Sequence, residues 1–229
     1  APYRLVVLPS LEMADTWLAA ALDAFVAGGG VVLAQTRLAT RDRNGKFLTD
    51  PMPVGLTALF GVDVRERCRV ERRHRRWSDP DARVAVDCGG LADGGAASVA
   101  GIGVMEMLEA DGACAVLGRY TSGNFSGAAA LTERAHGRGA AIYQGCLLEE
   151  GATARVLAHA LRRAAVAVPP PTPPGLEIIP RPPFRFYLNH TDQPAGVALI
   201  RPGRAVVGSV ESGRAALEPF GVCVIEEDA

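Results

Sequence analysis

Apolar runs rich in β-branched residues alternate with helical patterns over residues 3–167, and this alternation predicts a parallel sheet covered by helices. The first run, residues 3–9, is apolar apart from Arg4 and ends at a proline, as expected for a strand buried on both faces. A helix follows, with Asp15 or Thr16 as its N-cap, Gly28-Gly29-Gly30 at its end, and an apolar face of Leu18, Leu22, Phe25 and Val26. Residues 31–34 form the next predicted strand, which completes a predicted βαβ unit.

The same signals continue toward residue 167. Residues 36–51 are polar and predict a long loop at the surface or at a subunit contact. Pro53 begins a predicted short helix that ends at Gly61, with an apolar face of Leu56, Leu59 and Phe60. Further strands are predicted at 62–64, 84–86 and 115–117, and a hairpin is predicted from 128–133 to 140–144. The last predicted helix spans about Glu150 to Val166 and places on one side Val156, Leu157, Leu161 and Ala165.

A proline-rich segment, residues 168–175, divides the chain. Proline fixes φ and lacks a backbone N–H, so this segment is predicted to be a stiff linker. After it, short alternating runs broken by Pro and Gly predict a small antiparallel β-sandwich, with strands near 176–179, 184–189, 196–200, 205–207, 215–217 and 222–225. We therefore expect two domains, at 1–167 and 176–229.

The composition argues against two classes of partner. Hydrophobic residues at 48% and charged residues at 21% are typical of a folded globular protein. A formal net charge of -1 gives no general attraction to nucleic acid or to an anionic membrane, and no apolar stretch reaches the length of a spanning helix. The five cysteines are odd in number and contain no Cys-x-x-Cys pair, which favours free thiols in a reducing cytoplasm.

Carboxylates, glycines and histidines often act in catalysis or ligand binding, but in this sequence they have simpler structural explanations. Glu149-Glu150 begin a predicted helix, where the macrodipole favours negative charge, and Glu226-Glu227-Asp228 lie at the chain end. The glycine pairs lack a phosphate-loop pattern, and metal-ligand spacing is absent among His74, His136, His159 and His190. We therefore assign no catalytic, cofactor-binding or metal-binding residue and expect no cofactor.

Cys146 is the candidate nucleophile that the pattern leaves open. It follows a predicted strand and precedes a predicted helix, a position where α/β enzymes often place a nucleophilic cysteine. His159 or His136 could serve as its base. A structural cysteine is the favoured interpretation, because the sequence does not place an activating partner beside the thiol.

The strongest charge feature is the arginine cluster from Arg65 to Arg76, with seven arginines in thirteen residues up to Trp77. A nucleic-acid patch is one interpretation. The favoured one is an exposed strand or subunit rim whose arginines meet carboxylates of a neighbouring surface. Trp17 and Trp77 are candidate sugar-stacking platforms, but Trp17 belongs to a predicted helix and is expected in a core or an interface.

Five segments, at residues 3–9, 25–32, 59–62, 136–143 and 186–191, follow one another in an order and spacing that resemble a known family. The last contains Leu188-Asn189-His190-Thr191 and follows the proline-rich linker. Together they resemble the non-catalytic C-terminal half of bacterial β-galactosidases of glycoside hydrolase family 42.

The resemblance implies a fold and a parent enzyme. In that family a catalytic (β/α)₈ barrel precedes a trimerisation domain similar to class I glutamine amidotransferases, and a small β-sandwich follows. Residues 1–167 would then form a flavodoxin-like, mostly parallel sheet with helices on both faces, here without its first strand and helix. The family's acid/base glutamate follows an asparagine, and this chain has no such dipeptide, so no catalytic residue is carried over.

The function implied by the resemblance is that of the oligomerisation and accessory portion of a retaining β-galactosidase. The whole enzyme would hydrolyse terminal β-D-galactosides bound by a barrel outside this chain, and this chain would form a homotrimer. Two alternatives remain. One is an independent amidotransferase-like enzyme using Cys146, and the other is a free-standing carbohydrate-binding or scaffold module.

Overall fold

The computed structural model describes residues 3–49, 51–70, 82–167 and 172–228. The chain divides into two compact units, Ala1–Val168 and Pro169–Ala229. Each unit is described by itself.

The first unit contains nine strands and three α-helices among its described residues. The strands are β1 (Leu5–Leu8), β2 (Val31–Gln35), β3 (Val62–Arg69), β4 (Val84–Asp87), β5 (Ser98–Ala110), β6 (Cys114–Tyr120), β7 (Ala129–His136), β8 (Gly139–Gln144) and β9 (Cys146–Leu148). The helices are α1 (Thr16–Ala27), α2 (Thr57–Phe60) and α3 (Glu150–Arg163).

All nine strands join one mixed sheet in the order β1-β2-β8-β7-β6-β4-β5-β3, with β9 beside β5. Two pairings are parallel: Leu5 of β1 lies opposite Val31 of β2, and Val31 lies opposite Ala140 of β8. The other pairings described in this sheet are antiparallel. The sheet therefore has a small parallel part at one side and a larger antiparallel part.

The predicted βαβ unit is confirmed in β1, α1 and β2. The Leu18 amide donates to Asp15 Oδ1 at 2.8 Å, so Asp15 is the N-cap of α1, and the helix ends at Gly28. Leu22 and Val26 are buried on its inner face. The predicted hairpin is confirmed in β7 and β8, where Gly137 has the positive φ of 58° that the turn requires.

The predicted flavodoxin-like, mostly parallel fold is wrong, because the described strands are mainly antiparallel and helices are few. Parallel neighbours need long crossover connections, and from β3 to β8 the described chain contains one short 3₁₀ turn, Gly89–Leu91, and no α-helix. The sequence patterns did not predict β5, since Gly101 and Gly103 interrupt its alternation. The predicted similarity to the amidotransferase fold is wrong for the same reason, because that fold requires a mostly parallel sheet.

Two hydrophobic cores, one on each face of the sheet, explain why apolar runs suggested parallel strands. One core contains Val26 of α1 and Tyr143 of β8, and the other contains Val156 of α3 and Ile142 of β8. Every residue of β8 is buried, as in a strand covered on both faces. On α3 the buried positions are Ala152, Val156 and Ala160. Leu157 was predicted on the apolar face of this helix but is 39% exposed, so the buried face differs from the predicted one.

The second unit consists of antiparallel sheets around a small core. Its strands are β10 (Leu176–Arg181), β11 (Phe184–Asn189), β12 (Ala195–Ala198), β13 (Gly203–Val207), β14 (Ser209–Glu211), β15 (Arg214–Leu217) and β16 (Val222–Glu227). One sheet has the order β10-β11-β16-β13 and the other β12-β15-β14. Residues of both sheets share the core, including Tyr187, Leu217 and Ile225. The six strands predicted here are present, and β14 is additional.

Gly139 provides a test of how α1 packs against the sheet. A Cβ atom at this position would collide with the carbonyl oxygens of Gly30 and Val26. Gly139→Ala is expected to lower the free energy of unfolding by about 3 kcal/mol, because backbone atoms cannot move aside as a flexible side chain can. Urea unfolding followed by tryptophan fluorescence measures this, since Trp17 and Trp77 both belong to the first unit.

Gly151→Ala is the matched control. Gly151 lies in the first turn of α3, and a Cβ there would meet no atom within 4 Å. This substitution is expected to raise stability by about 0.5 kcal/mol through the unfolded state. Equal effects of the two substitutions would contradict the close backbone approach at Gly139.

Candidate functional site

The structure does not assemble Cys146 into a catalytic pair. The Cys146 side chain is buried, and burial is the main reason that the pKa of its thiol rises to about 12. The ring of His159 contacts Glu133, and that of His136 lies 3.0 Å from Asp23. In the described parts of the chain no hydrogen bond joins Cys146 to a histidine. A thiol in this setting is a core residue, which argues against the amidotransferase-like alternative.

The predicted carboxylates make structural contacts. Glu149 Oε1 accepts a hydrogen bond from the Ala100 amide at 3.3 Å just before α3, and Glu150 begins that helix. At the chain end, Glu226 pairs with Arg204 and Glu227 with Arg185. Among the described residues no group of three or more His, Cys, Asp or Glu side chains is arranged to hold a metal ion. His74, Trp77 and the arginines of the cluster beyond Arg69 lie outside the described residues.

Glu133 is held between two basic side chains of α3. His159 Nε2 lies 2.5 Å from Glu133 Oε2, and Arg163 Nε donates to Oε1 at 2.7 Å. Burial alone would raise the pKa of Glu133, but the hydrogen bond from His159 and the charge of Arg163 outweigh it and hold the pKa below its usual value. This contact fastens α3 to β7.

A buried carboxylate, Glu106 of β5, is the most unusual polar group of the first unit. Its side chain is fully inaccessible to solvent. Arg67 of β3 donates from Nε to Glu106 Oε1 at 2.7 Å, and the Tyr143 hydroxyl of β8 donates to Oε2 at 2.8 Å. The backbone amide of Arg37, just after β2, donates to Oε1 at 2.9 Å. We call these residues the Glu106 cluster.

Two hydrogen-bonded tyrosines, Tyr143 of the Glu106 cluster and Tyr120 beside it, contact Glu106. Burial, with the negative charge of Glu106 as the next cause, raises the pKa of Tyr143 well above its usual value. The Tyr120 hydroxyl lies 3.1 Å from the Glu106 carbonyl oxygen and 3.0 Å from that of Gly145. Burial raises its pKa as well. Both tyrosines are therefore neutral hydrogen-bond donors.

Glu12 extends the polar contacts to the surface. It forms ion pairs with Arg37 and Arg41, and Arg41 Nε donates to Glu12 Oε2 at 2.7 Å. The hydrogen bond from Arg41 is the largest cause that holds the pKa of Glu12 below its usual value. Arg41 also donates to the Gly45 carbonyl oxygen at 2.7 Å. These contacts fix the loop that follows β2.

Two arginines in the described part of the arginine cluster pair with carboxylates of their own sheet. Arg65 forms ion pairs with Asp63 and Glu109, and Arg67 forms one with Glu106. The sequence did not indicate Glu106 as a special residue. The one available signal was an acidic residue between methionines, Met105-Glu106-Met107, in an otherwise apolar run.

Trp17 is not a core residue. Its side chain is 75% exposed at the start of α1, and Met13 and Phe47 are also exposed, at 53% and 56%. The prediction that Trp17 lies in a core is therefore wrong, and the interface interpretation stays a prediction. Among the described helices, none combines the length and apolar character needed to cross a membrane.

In the first unit a mixed sheet encloses the buried ion pair of Arg67 and Glu106, and the candidate nucleophile Cys146 lies in a hydrophobic core. Residues 1–167 match the family model described as the beta-galactosidase trimerisation domain. The chain belongs to this family, as its sequence resemblance implied.

Several known beta-galactosidases are similar to this chain. Beta-galactosidase BgaH of Haloferax lucentense is 26% identical over 195 residues, which cover 84% of this chain and 27% of that protein. The structure of a polyextremophilic beta-galactosidase from Halorubrum lacusprofundi matches with a TM-score of 0.83 and 26% identity, covering 100% of this chain and 32% of that one. A beta-galactosidase from Bacillus circulans sp. alkalophilus shares the fold, with a TM-score of 0.81, 20% identity and coverage of 99% and 33%. This chain thus spans a third or less of each relative.

Removing the buried charge tests the Glu106 cluster. Glu106→Gln is expected to lower the free energy of unfolding by about 3–5 kcal/mol, because Arg67 would lose its partner while remaining largely buried. Glu109→Gln on the same strand is the matched control. Glu109 is 61% exposed, and water screens its ion pair with Arg65, so the loss of this pair is expected to change stability little. Urea unfolding of both variants measures the difference, and similar losses would refute a special role for Glu106.

The contact between α3 and β7 predicts a dependence on pH. Because the folded-state pKa of Glu133 is lowered, its stabilising contribution is present above the unfolded-state pKa and is lost as pH falls through the folded-state pKa. Glu133→Gln is expected to lower stability by about 1–3 kcal/mol at neutral pH. The difference from the unmodified chain should shrink on acidification below the usual glutamate pKa of 4.5.

The measurement is urea unfolding at neutral and acidic pH. Glu66→Gln is the control, since Glu66 of β3 is exposed and has no ion pair among the described residues. A difference between Glu133→Gln and the unmodified chain that stays constant with pH would contradict the assigned pKa direction.

Proposed function

We propose that this chain is the oligomerisation and accessory portion of a retaining β-galactosidase of glycoside hydrolase family 42. The observation that carries the proposal is the match of residues 1–167 to the beta-galactosidase trimerisation domain. The related beta-galactosidases are about three times as long as this chain, which leaves room in them for a separate catalytic part. In this proposal the galactoside binds to a barrel outside the 229 residues.

The proposal assigns a role to each part of the chain. Residues 1–167 form the assembly domain, 168–175 a linker, and 176–229 an accessory β domain. The separate cores of the two compact units support this division. The assembly is a homotrimer, which can influence access of substrate to the catalytic part without supplying a proton.

A cytoplasmic location is part of the same proposal. Free thiols persist in reducing compartments, and Cys88, Cys114, Cys146 and Cys223 are free. Burial raises the pKa of Cys88 and Cys114 to about 11, so these thiols resist oxidation.

Light scattering coupled to size-exclusion chromatography tests the assembly. At micromolar concentrations the purified chain is expected to have three times its 24.0 kDa mass. A chain that remains a monomer over this range would contradict the oligomerisation role.

An activity assay tests the accessory role. The chain alone is expected to release no galactose from a chromogenic β-galactoside. When it is expressed together with its upstream reading frame, activity is expected, and it should depend on an Asn-Glu pair in that frame. Galactose release by the chain alone, with host enzyme excluded, would refute the proposal.

A further inference from the structure

Two β-bridges join Met13, Arg41 and Phe47, and these residues together with Trp17, four positions after Met13, are called the α1–loop patch. Met13 pairs with Arg41 in a parallel β-bridge, and Arg41 pairs with Phe47 in an antiparallel one. Trp17 follows in the first turn of α1. Its three apolar side chains are between 53% and 75% exposed. The patch therefore presents large apolar groups to the outside of the first unit.

The α1–loop patch is held in one conformation by contacts beneath it. The Arg41 guanidinium lies 3.7 Å above the centre of the Phe47 ring and also binds Glu12 and the Gly45 carbonyl oxygen. Asp42 Oδ1 accepts from the amides of Asn44 and Lys46 and closes the turn between them. A preorganised surface loses little conformational entropy on binding, and Trp, Phe, Met and Arg are the residues enriched at protein interfaces.

The basic side chains of the loop favour an acidic group on the partner surface, whereas the exposed Asp15 carboxylate is engaged as the N-cap of α1. Arg43 and Lys46 are exposed at its rim, and neither has a carboxylate partner within the described chain. The first half of α3 carries the complementary features. Glu150 is exposed without an ion pair among the described residues, and Leu157, two turns later on the same side, is 39% exposed. We call Glu150, Ala154 and Leu157 the α3 surface.

The two surfaces lie on opposite sides of the sheet. Leu22 and Val26 of α1 belong to one core, and Val156 and Ala160 of α3 belong to the other. A ring of three identical chains needs two different contact surfaces on each chain. Surfaces on opposite faces of one sheet meet this requirement, because each is free to contact a different neighbour.

We propose that the α1–loop patch of one copy packs against the α3 surface of the next copy. This inference rests on the proposed function, which supplies the homotrimer. Trp17, Met13 and Phe47 would surround Leu157, and the cations of the rim would face Glu150. Exclusion of water from the apolar centre would provide affinity, and the charges would set the orientation.

Trp17→Ser and Leu157→Ser test the two surfaces separately. Each is expected to weaken the contact by at least about 30-fold, which is the loss typical of a central interface residue. Sedimentation velocity over a dilution series measures the dissociation. Both side chains are at least 39% exposed, so far-UV circular dichroism is expected to stay unchanged. Phe220→Ser, at an aromatic residue 72% exposed in the second unit, is the matched control and should leave the trimer intact.

Exchange of the charges tests whether the two surfaces meet. Lys46→Glu and Glu150→Lys are each expected to weaken the trimer, and the double variant should recover most of the loss. High salt should reduce the effect of each single change. If the double variant does not recover, Lys46 and Glu150 do not face each other across the contact, and the inference is wrong.

The outcomes distinguish this inference from the proposed function. A monomeric unmodified chain would refute both. If the unmodified chain is a trimer and either Trp17→Ser or Leu157→Ser leaves it unaffected, the proposed function stands and this inference fails. A loss of assembly in the Phe220→Ser control as large as that of Trp17→Ser would also overturn the inference.

Discussion

A carboxylate without access to solvent must be neutralised by the protein around it, and Glu106 receives contacts from three other parts of the first unit. Arg67 binds it from β3, Tyr143 from β8, and the Arg37 amide from the loop after β2. These parts belong to both the antiparallel and the parallel portions of the sheet. The ion pair therefore fixes how the two portions join, and it is satisfied only when both are in place.

The same arrangement connects the interior with the surface. Arg37 gives its backbone amide to Glu106, and its guanidinium pairs with Glu12, which also pairs with Arg41. Buried and exposed polar groups thus form one series along the loop after β2. The ion pairs of Glu12 with Arg37 and Arg41 hold this polar loop in one conformation. In that conformation the Phe47 ring contacts Arg41 and remains exposed.

Local elements were predictable from the sequence, whereas the sheet topology was not. The Asp15 cap, the glycine end of α1, and the hairpin around Gly137 depend on neighbouring residues, and the structure confirms all three. The direction of strand pairing depends on residues far apart in the chain. A run such as β8 is apolar because two cores bury it, and burial on two faces occurs in parallel and antiparallel neighbours alike. The role of Glu106 could not be predicted from the sequence, because its partners lie far from it in the chain, on β3, on β8 and in the loop after β2.

The length of β5 has a consequence for how the chain reaches its native state. This strand pairs with β3 and β4 before it in the chain and with β7 and β9 after it. Its last partner ends at Leu148, so a ribosome must have passed that residue before the pairing is complete. Contacts between such distant segments form slowly, because a long loop has to close first. Until then the edges of β5 lack their final partners, and unpaired strand edges of this kind favour association with other incomplete chains.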